Sequence, residues 1–380
     1  MRIAINEVVL ENRSTGTRQR DLNLLPALLR LLQSEGHEAL VYLPADLSEP
    51  IAQALVGEPP LARIIRAPFN SQPTRTRLLK GARYFRSEMR ARQVRLFHSN
   101  YFPLPPVDVP TLLTVNDVRF VHFADTYTRT RLAYLRMVVP LALRKATRIA
   151  AISADTKKDL VEYFGIADGK IDVVPVAAAP GFTRVADCAH LHAVRAKYNL
   201  PAEYILYVGH LEPRKNLLRL VQAYRLLHEQ DRSVPPLVIL GREDFGFQPI
   251  LDFVRDTGLN EQILFTGFVA EEDLTAAYTL ARVLAFPSLH EGFGIPVLEA
   301  MACEVPVLTS NTSALPEVAG DAAVLVDPWS VDSIAQGLTS LLNDEQLRTK
   351  LIARGLARVA HFSPERSAQQ MLESYLRATT

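Results

Sequence analysis

The chain reads as an α/β protein made of two doubly wound domains in tandem. Three observations carry that expectation. Short apolar runs alternate with helical patterns along most of the sequence, which is how mostly parallel sheets covered on both faces are written. The alternation gives way to a mixed stretch from Pro175 to Asn199 and then restarts. Finally, 380 residues are too many for one ordinary core and suit two of comparable size.

In order, Ile3–Ile5 reads as a strand and Leu22–Ser34 as the helix after it. Ala39–Leu43, Thr111–Val115, Arg148–Ile152 and Ile171–Val174 read as further strands of the first half. Ser153 can cap a helix running through Phe164, with Asp155 favourably placed in its first turn. After the passage holding Pro180 and Gly181, Tyr204–Val208 reads as a strand and Asn216 to Glu229 as a helix. Leu237–Leu240, Ile263–Phe265, Val283–Phe286 and Val305–Leu308 complete the second set of strands. Ser363 to Arg377 is an amphipathic helix with Ser363 as N-cap and Pro364 in its first turn. The expected domains are 1–178 and 179–362, followed by a terminal helix over 363–380. Ligands of such sheets bind beyond the carboxyl ends of the strands, so the informative residues should follow the strands.

Composition narrows the function. Hydrophobic residues make up 48% and charged residues 22%, a globular rather than disordered balance. Cys188 and Cys303 belong to no C-x-x-C or Cys/His cluster, which argues against structural zinc and a disulfide framework. Both are expected to be buried free thiols in a reducing compartment. The apolar run after Met1 is too short for a secretory signal, and no stretch approaches the ~20 apolar residues of a spanning helix. A cytoplasmic location follows as the expectation.

The net charge of +1 hides an asymmetry: Met1 to Pro180 carries +8 and Gly181 to Thr380 carries −7. The densest basic segment, Arg75 to Arg95, holds eight cations against Glu88, with Tyr84, Phe85 and Met89 among them. A solvated helix face and a surface for anionic headgroups or a phosphate-bearing acceptor are both open readings. The latter would give peripheral contact with an anionic membrane, at the inner face of the plasma membrane. No nucleic-acid-binding module accompanies the patch, so nucleic acid is not an expected partner.

The strongest chemical signal follows the strand Val283–Phe286. Glu291-Gly292-Phe293-Gly294-Ile295-Pro296 leads into an apolar helix that carries Glu299. Glycine permits close backbone approach to a ligand, Pro296 suits a first helical turn, and the N–H groups of that turn make an anion site. Glu291 in the loop and Glu299 in the helix can then serve one ligand, one toward a sugar and one toward a ribose. A second signal follows Tyr204–Val208: Gly209, His210, Leu211, Glu212, Pro213, Arg214, Lys215 and Asn216. Cations just before a helix oppose its dipole by about 0.3–1 kcal/mol, and a phosphate would compensate. Asn116 and Asp117 end the strand Thr111–Val115, either as polar site groups or as an Asx-turn. Gly16, in the run Ser14 to Arg20, permits close approach of phosphate or sugar. The Val269 backbone, after Gly267, either pairs with a nucleobase edge or is a plain strand exit.

Together these motifs resemble the family-four retaining glycosyltransferases of the GT-B fold, over nearly the whole chain. Glu291 to Glu299 looks like that family's E-x7-E motif. Ser310 to Gly320, Gly209 and Leu211 to Asn216 continue the likeness. The resemblance implies two Rossmann-like doubly wound domains facing across a cleft, an acceptor-side one first and a nucleotide-sugar one second, with the last helix crossing back onto the first. It implies a hexosyltransferase for glucose- or mannose-type sugars, moving them from a UDP- or GDP-sugar to a glycan or lipid-linked acceptor in surface polysaccharide or glycoconjugate biosynthesis. By that similarity Glu291 and the backbone of Phe293 and Gly294 hold the donor hexose, Gly292 and Ile295 are donor-binding beside them, and Glu299 binds the ribose. Lys215, with Arg214, Gly209 and His210 in its loop, holds the diphosphate, Val269 meets the base and Gly16 lies by the donor phosphates. Glu291, Lys215, Asn116 and Asp117 are the candidate catalytic residues. Many relatives carry His where this chain has Asn116, and Arg where it has His210. Asn116 exchanges hydrogen bonds but cannot shuttle a proton, and His210 is not a fixed cation. The absence of any D-x-D leads us to expect no metal and no cofactor beyond the sugar nucleotide. A nicotinamide dehydrogenase would need G-x-G-x-x-G opening the first helix, where Gly16 stands alone. A non-catalytic sugar-nucleotide-binding protein stays as the alternative.

Overall fold

A computed structural model describes residues 1–12, 16–57, 59–72, 74–242 and 247–380, without the side chains of 74–79. Ser14 and Thr15 of the first loop therefore lie outside the described residues. The chain divides into two compact units, Met1–Ala177 with Phe362–Thr380, and Ala178–His361.

The first unit begins β1 (Arg2–Asn6), α1 (Gly16–Ser34), β2 (Glu38–Leu43), α2 (Glu49–Val56), β3 (Arg63–Arg66) and α3 (Thr74–Ala91). It continues β4 (Leu96–Ser99), β5 (Thr111–Val115), α4 (Arg129–Lys145), β6 (Arg148–Ala151), α5 (Ala154–Phe164) and β7 (Ile171–Val173). The strands form one parallel sheet in the order β3-β2-β1-β4-β5-β6-β7. Strand order reverses between β1 and β4, the place where a parallel sheet offers its crevice.

The second unit runs α6 (Cys188–Tyr198), β8 (Ile205–Val208), α7 (Leu217–Gln230), β9 (Leu237–Leu240), α8 (Gln248–Asp256), β10 (Ile263–Gly267) and α9 (Glu271–Thr279). β11 (Val283–Phe286), α10 (Ile295–Ala302), β12 (Val307–Ser310), α11 (Leu315–Ala319), β13 (Ala323–Val326), α12 (Val331–Asn343) and α13 (Glu345–Val359) complete it. Its parallel sheet is ordered β10-β9-β8-β11-β12-β13, with the switch between β8 and β11. The last helix, α14 (Pro364–Thr379), belongs to the first unit.

Each sheet is buried on both sides, which explains the near-continuous apolar runs. In the first unit α1, α2 and α14 cover one face. Leu28, Leu32, Ala52, Met371 and Tyr375 share that core with β1 and β2. The other face packs Phe85 and Met89 of α3, Val139 and Leu143 of α4, and Leu160 of α5 against Phe97 and Leu113. Helix starts follow cap chemistry. The Ser153 hydroxyl accepts from Thr156 N at 3.0 Å, and Ser363 accepts from Arg366 N at 3.2 Å.

Several expectations change. α1 begins at Gly16 rather than Leu22, and β12 starts at Val307 because Pro306 has no N–H for the ladder. Cys303 is buried, but Cys188, at the first position of α6, is exposed. In the basic segment, Phe85 and Met89 are core residues, and Tyr84 packs edge-on against Tyr42 and Phe69. They are therefore not membrane-facing groups. Arg90 pairs with Asp108 at 2.5 Å, and Arg92 with Glu88 at 2.5 Å. No helix among the described residues is long and apolar enough to cross a membrane.

Candidate active site

In the second unit the singled-out residues gather at the carboxyl ends of β8, β9, β10 and β11. Gly209 N donates to Leu240 O and Gly241 N to Gly267 O, both at 2.9 Å, which ties three strand ends together. Gly241 has φ +156°, and a Cβ there would lie 1.8 Å from the Gly209 carbonyl oxygen. Only glycine fits that approach. Gly294, at φ +105°, caps α10, and a Cβ on it would meet Leu315 at 2.6 Å.

Pro213 to Lys215 form a 3₁₀ turn ahead of α7 and bring two buried cations against one buried carboxylate. Lys215 Nζ donates to Glu291 Oε1 at 2.6 Å, and Arg214 Nη1 lies 2.8 Å from Glu291 Oε2. Arg214 also pairs with Glu212 and donates to the His290 carbonyl. Lys215 Nζ sits 4.8 Å over the Phe286 ring. Burial alone would raise the Glu291 carboxyl, but Arg214 and Lys215 overcome it and hold it down to about 2. Burial lowers the Lys215 ammonium, against the pull of Glu291. The cations placed against the α7 dipole thus have carboxylate partners, Glu291 and Glu212, within the protein.

The frame around them is well bonded. Asn216 Nδ2 donates to the Pro287 and Pro328 carbonyls at 2.9 and 2.6 Å. The Ser313 hydroxyl accepts from Glu291 N at 3.0 Å, fixing the loop that starts α10. Glu299, inside α10, accepts from the Tyr278 hydroxyl at 2.8 Å. Burial pushes its carboxyl up to about 7, and the Tyr278 bond offsets part of the rise. Phe293 and Val269 are buried, His210 is exposed, and Arg242 lies 4.6 Å over the exposed Phe268 ring. Glu291 and Glu299 therefore belong to one strand-end region with separate partners. Tyr278 and Gly241 were not singled out by sequence, and Ser313 entered only as part of the stretch Ser310 to Gly320.

In the first unit Asn116 ends β5 with its carboxamide oxygen accepting from the Arg20 guanidinium. Its Nδ2 lies 3.5 Å from Thr17 Oγ1, in the first turn of α1 beside Gly16. Asp117 Oδ1 accepts from Arg119 N at 3.2 Å, so the Asx-turn reading describes it. Behind Asn116 lies a buried polar cluster that sequence reasoning missed. Arg20 pairs with Asp21, the Asn100 amide donates to Glu7, and a small cavity is lined by Glu7, Arg20, Asp21 and His98. Burial raises Glu7 well above the usual carboxylate range, with Asp21 adding to the rise. Burial, with Arg20, lowers His98 to about 3, and its ring bonds Tyr375 and Thr114 at 2.8 and 2.7 Å. Glu7 and Asn100 directly follow the β1 and β4 ends, the one sequence signal that could have marked them.

Residues 25–178 match the model described as Glycosyltransferase Family 4, and residues 193–358 match Glycosyl transferases group 1. The chain is 32% identical to O-antigen chain mannosyltransferase B of Escherichia coli, over 74% of each protein. It is 36% identical to the serotype-specific mannosyltransferase WbdA of the same species, over 61% of this chain but only 29% of that longer protein. The structure of HepE from Anabaena, in complex with UDP and glucose, covers 99% of each chain at TM-score 0.74 and 17% identity. The chain belongs to the family-four glycosyltransferases. It is a glycosyltransferase of the GT-B fold, similar to enzymes of O-antigen polysaccharide synthesis.

Proposed function

We propose that this enzyme transfers a hexosyl group, of mannose or glucose type, from a GDP- or UDP-sugar to a growing surface-polysaccharide chain, lipid-linked at its far end. In this reading the reaction retains anomeric configuration and needs no metal. The observation that carries it is the buried Lys215–Glu291–Arg214 cluster at the β8 and β11 ends, joined to the glycine-started helix α10. Cations and helix N–H groups fixed there meet the charge of a departing nucleoside diphosphate without reorganising. The ionised Glu291 can accept from hexose hydroxyls while it orients Lys215. Glu299 offers a buried carboxyl to ribose hydroxyls.

In the transfer step the acceptor hydroxyl attacks the anomeric carbon on the face the diphosphate leaves. A new C–O bond forms as the old one breaks, and the hydroxyl proton passes to the leaving phosphate oxygen. We assign the acceptor to the first unit, where the Arg20-held Asn116 amide can bond a sugar hydroxyl without taking its proton. The names of the mannosyltransferase relatives support a mannosyl donor, and HepE's complex with UDP and glucose keeps a UDP-glucose donor in view.

The test is a panel of UDP- and GDP-hexoses scored by thermal stabilisation, followed by labelled-sugar transfer to a mannan oligosaccharide with and without EDTA. One donor should stabilise the protein and give an axial, retained product linkage by proton NMR, undiminished by EDTA. No stabilising donor, or activity lost to EDTA and restored by manganese, would overturn the assignment.

A further inference from the structure

Resting on the sugar-transfer reading, we propose that Arg20 is a positioning residue: braced by a buried carboxyl pair, it turns the Asn116 amide so that its N–H donors meet a sugar hydroxyl oxygen. Thr17, Arg20 and Asp21 stand three and four residues apart on α1 and so share one face of it. Their partners Asn116 and Glu7 directly follow the ends of β5 and β1. Arg20 is 4% exposed, and its charge is spent inside the protein. Its Nε and Nη2 donate to Asp21 Oδ1 at 2.9 and 2.5 Å, while Nη1 donates to Asn116 Oδ1.

A guanidinium carries donors and no acceptor, so it can meet an amide only at the carbonyl oxygen. That requirement fixes which way the Asn116 amide lies. Its N–H2 group is turned from Arg20 and finds Thr17 Oγ1 at 3.5 Å, the outer limit of a hydrogen bond. The Asn116 backbone carbonyl is engaged as well, accepting from the Thr156 hydroxyl at 3.4 Å. With both oxygens of this half-buried residue bonded, its amide hydrogens are the groups left for a ligand. The brace behind Arg20 closes its own charges. The Glu7 and Asp21 carboxyls hydrogen-bond to one another, and two such groups in contact share one proton. Burial raises both, and Arg20 offsets part of the rise at Asp21, so Glu7 keeps the proton and Asp21 the charge. The Asn100 amide donates to Glu7 Oε1, and His98 beside them is held neutral by burial. One guanidinium therefore stands against one carboxylate, and the partner this arrangement fits is a neutral acceptor, the oxygen of a sugar hydroxyl.

A double-mutant cycle on the full chain, read by sugar transfer to a mannan oligosaccharide, tests the role. Arg20→Lys keeps a cation beside Asp21 but loses the planar fork that reaches Asp21 and Asn116 together. It should lower kcat/KM for the acceptor by about tenfold or more, and Asn116→Ala by a similar factor. The two together should lower it no further than Asn116→Ala alone, because Arg20 acts through Asn116. Asn116→Asp offers Arg20 the same oxygen and the substrate no donor, so it should fall as far as Asn116→Ala. Circular dichroism and melting identify the folded variants. Asn116→Asp leaves the buried cluster intact, so it decides the matter even where Arg20→Lys does not fold. Losses that multiply in the double variant overturn the positioning role and leave Arg20 a structural residue. Parental transfer by Asn116→Asp overturns the donor-only orientation. A parent that transfers no sugar overturns the reaction and this role with it, whereas an active parent with multiplied losses removes the role alone.

Discussion

Glu299 and Lys215 carry opposite burdens, and each can be tested alone. The Glu299 carboxyl is pushed by burial from 4.5 to about 7, so the folded protein binds a proton there that the unfolded chain releases earlier. Stability contributed by this group therefore falls as pH rises from about 4.5 to about 7, then levels off. Glu299→Gln keeps an acceptor for Tyr278 and removes that slope. Its stability relative to the parent should rise with pH, approaching about 3 kcal/mol more at pH 8 than at pH 4. Urea denaturation across that range measures it, and a difference that ignores pH would refute the burial argument. Lys215 is the converse case, a cation whose loss leaves Glu291 buried with Arg214 as its remaining partner. Lys215→Ala should cost about 1–3 kcal/mol of stability without abolishing the fold. Donor affinity should fall about 10–100-fold with turnover. Donor titration on the folded variant settles this, and unchanged affinity and rate would remove Lys215 from the diphosphate site.

At the scale of elements, Gly16 at the start of α1 and Gly241 after β9 make contrasting demands. A Cβ on Gly16 meets nothing within 4 Å, whereas one on Gly241 would strike the Gly209 carbonyl at 1.8 Å. Gly16→Ala should leave the melting temperature within a few degrees of the parent, and a fall in its turnover would come from the ligand. Gly241→Ala should lose more than about 2 kcal/mol of stability, because β8 and β9 must part to admit it. Equal melting of the two variants would sink this reading. The same elements show what the sequence made legible. Val283–Phe286 and Leu237–Leu240 are apolar throughout and bounded by glycine, proline or charge, so their limits are read directly. β3 is Arg-Ile-Ile-Arg at the sheet edge, and β4 ends in His98 and Ser99, polar because their side chains join the buried cluster. Neither looks like a buried strand on pattern alone. The Glu291–Glu299 motif was legible because its chemistry is contiguous along the chain. The partnerships of Tyr278, Ser313 and Arg20 were not, since folding brings each to its partner from 21 residues away or more.

At the scale of the whole molecule, the chain leaves its first unit at Ala177, builds the second, and returns with Phe362–Thr380. The return is structural rather than ornamental. Ala368, Met371, Leu372, Tyr375 and Ala378 of α14 are buried in the core that also holds Leu25, Leu28 and Leu32 of α1. Tyr375 also bonds His98, on the strand beside β1, at 2.8 Å. Burying Met371, Leu372 and Tyr375 contributes about 1.5–3 kcal/mol each. Their sum is comparable with the roughly 5–15 kcal/mol that separates a folded domain from its unfolded chain. Ending the chain after His361 should therefore unfold the first unit and spare the second, whose core draws only on its own helices. The truncated protein should lose far-ultraviolet ellipticity and the melting transition of the first unit, and it should transfer no sugar. It should still be stabilised by the sugar nucleotide, because Lys215, Glu291 and Glu299 all lie between Ala178 and His361. A truncated chain with parental melting would show that α14 is dispensable to its unit. One that keeps the second-unit transition but is no longer stabilised by donor would place an essential part of the nucleotide-sugar site in the first unit.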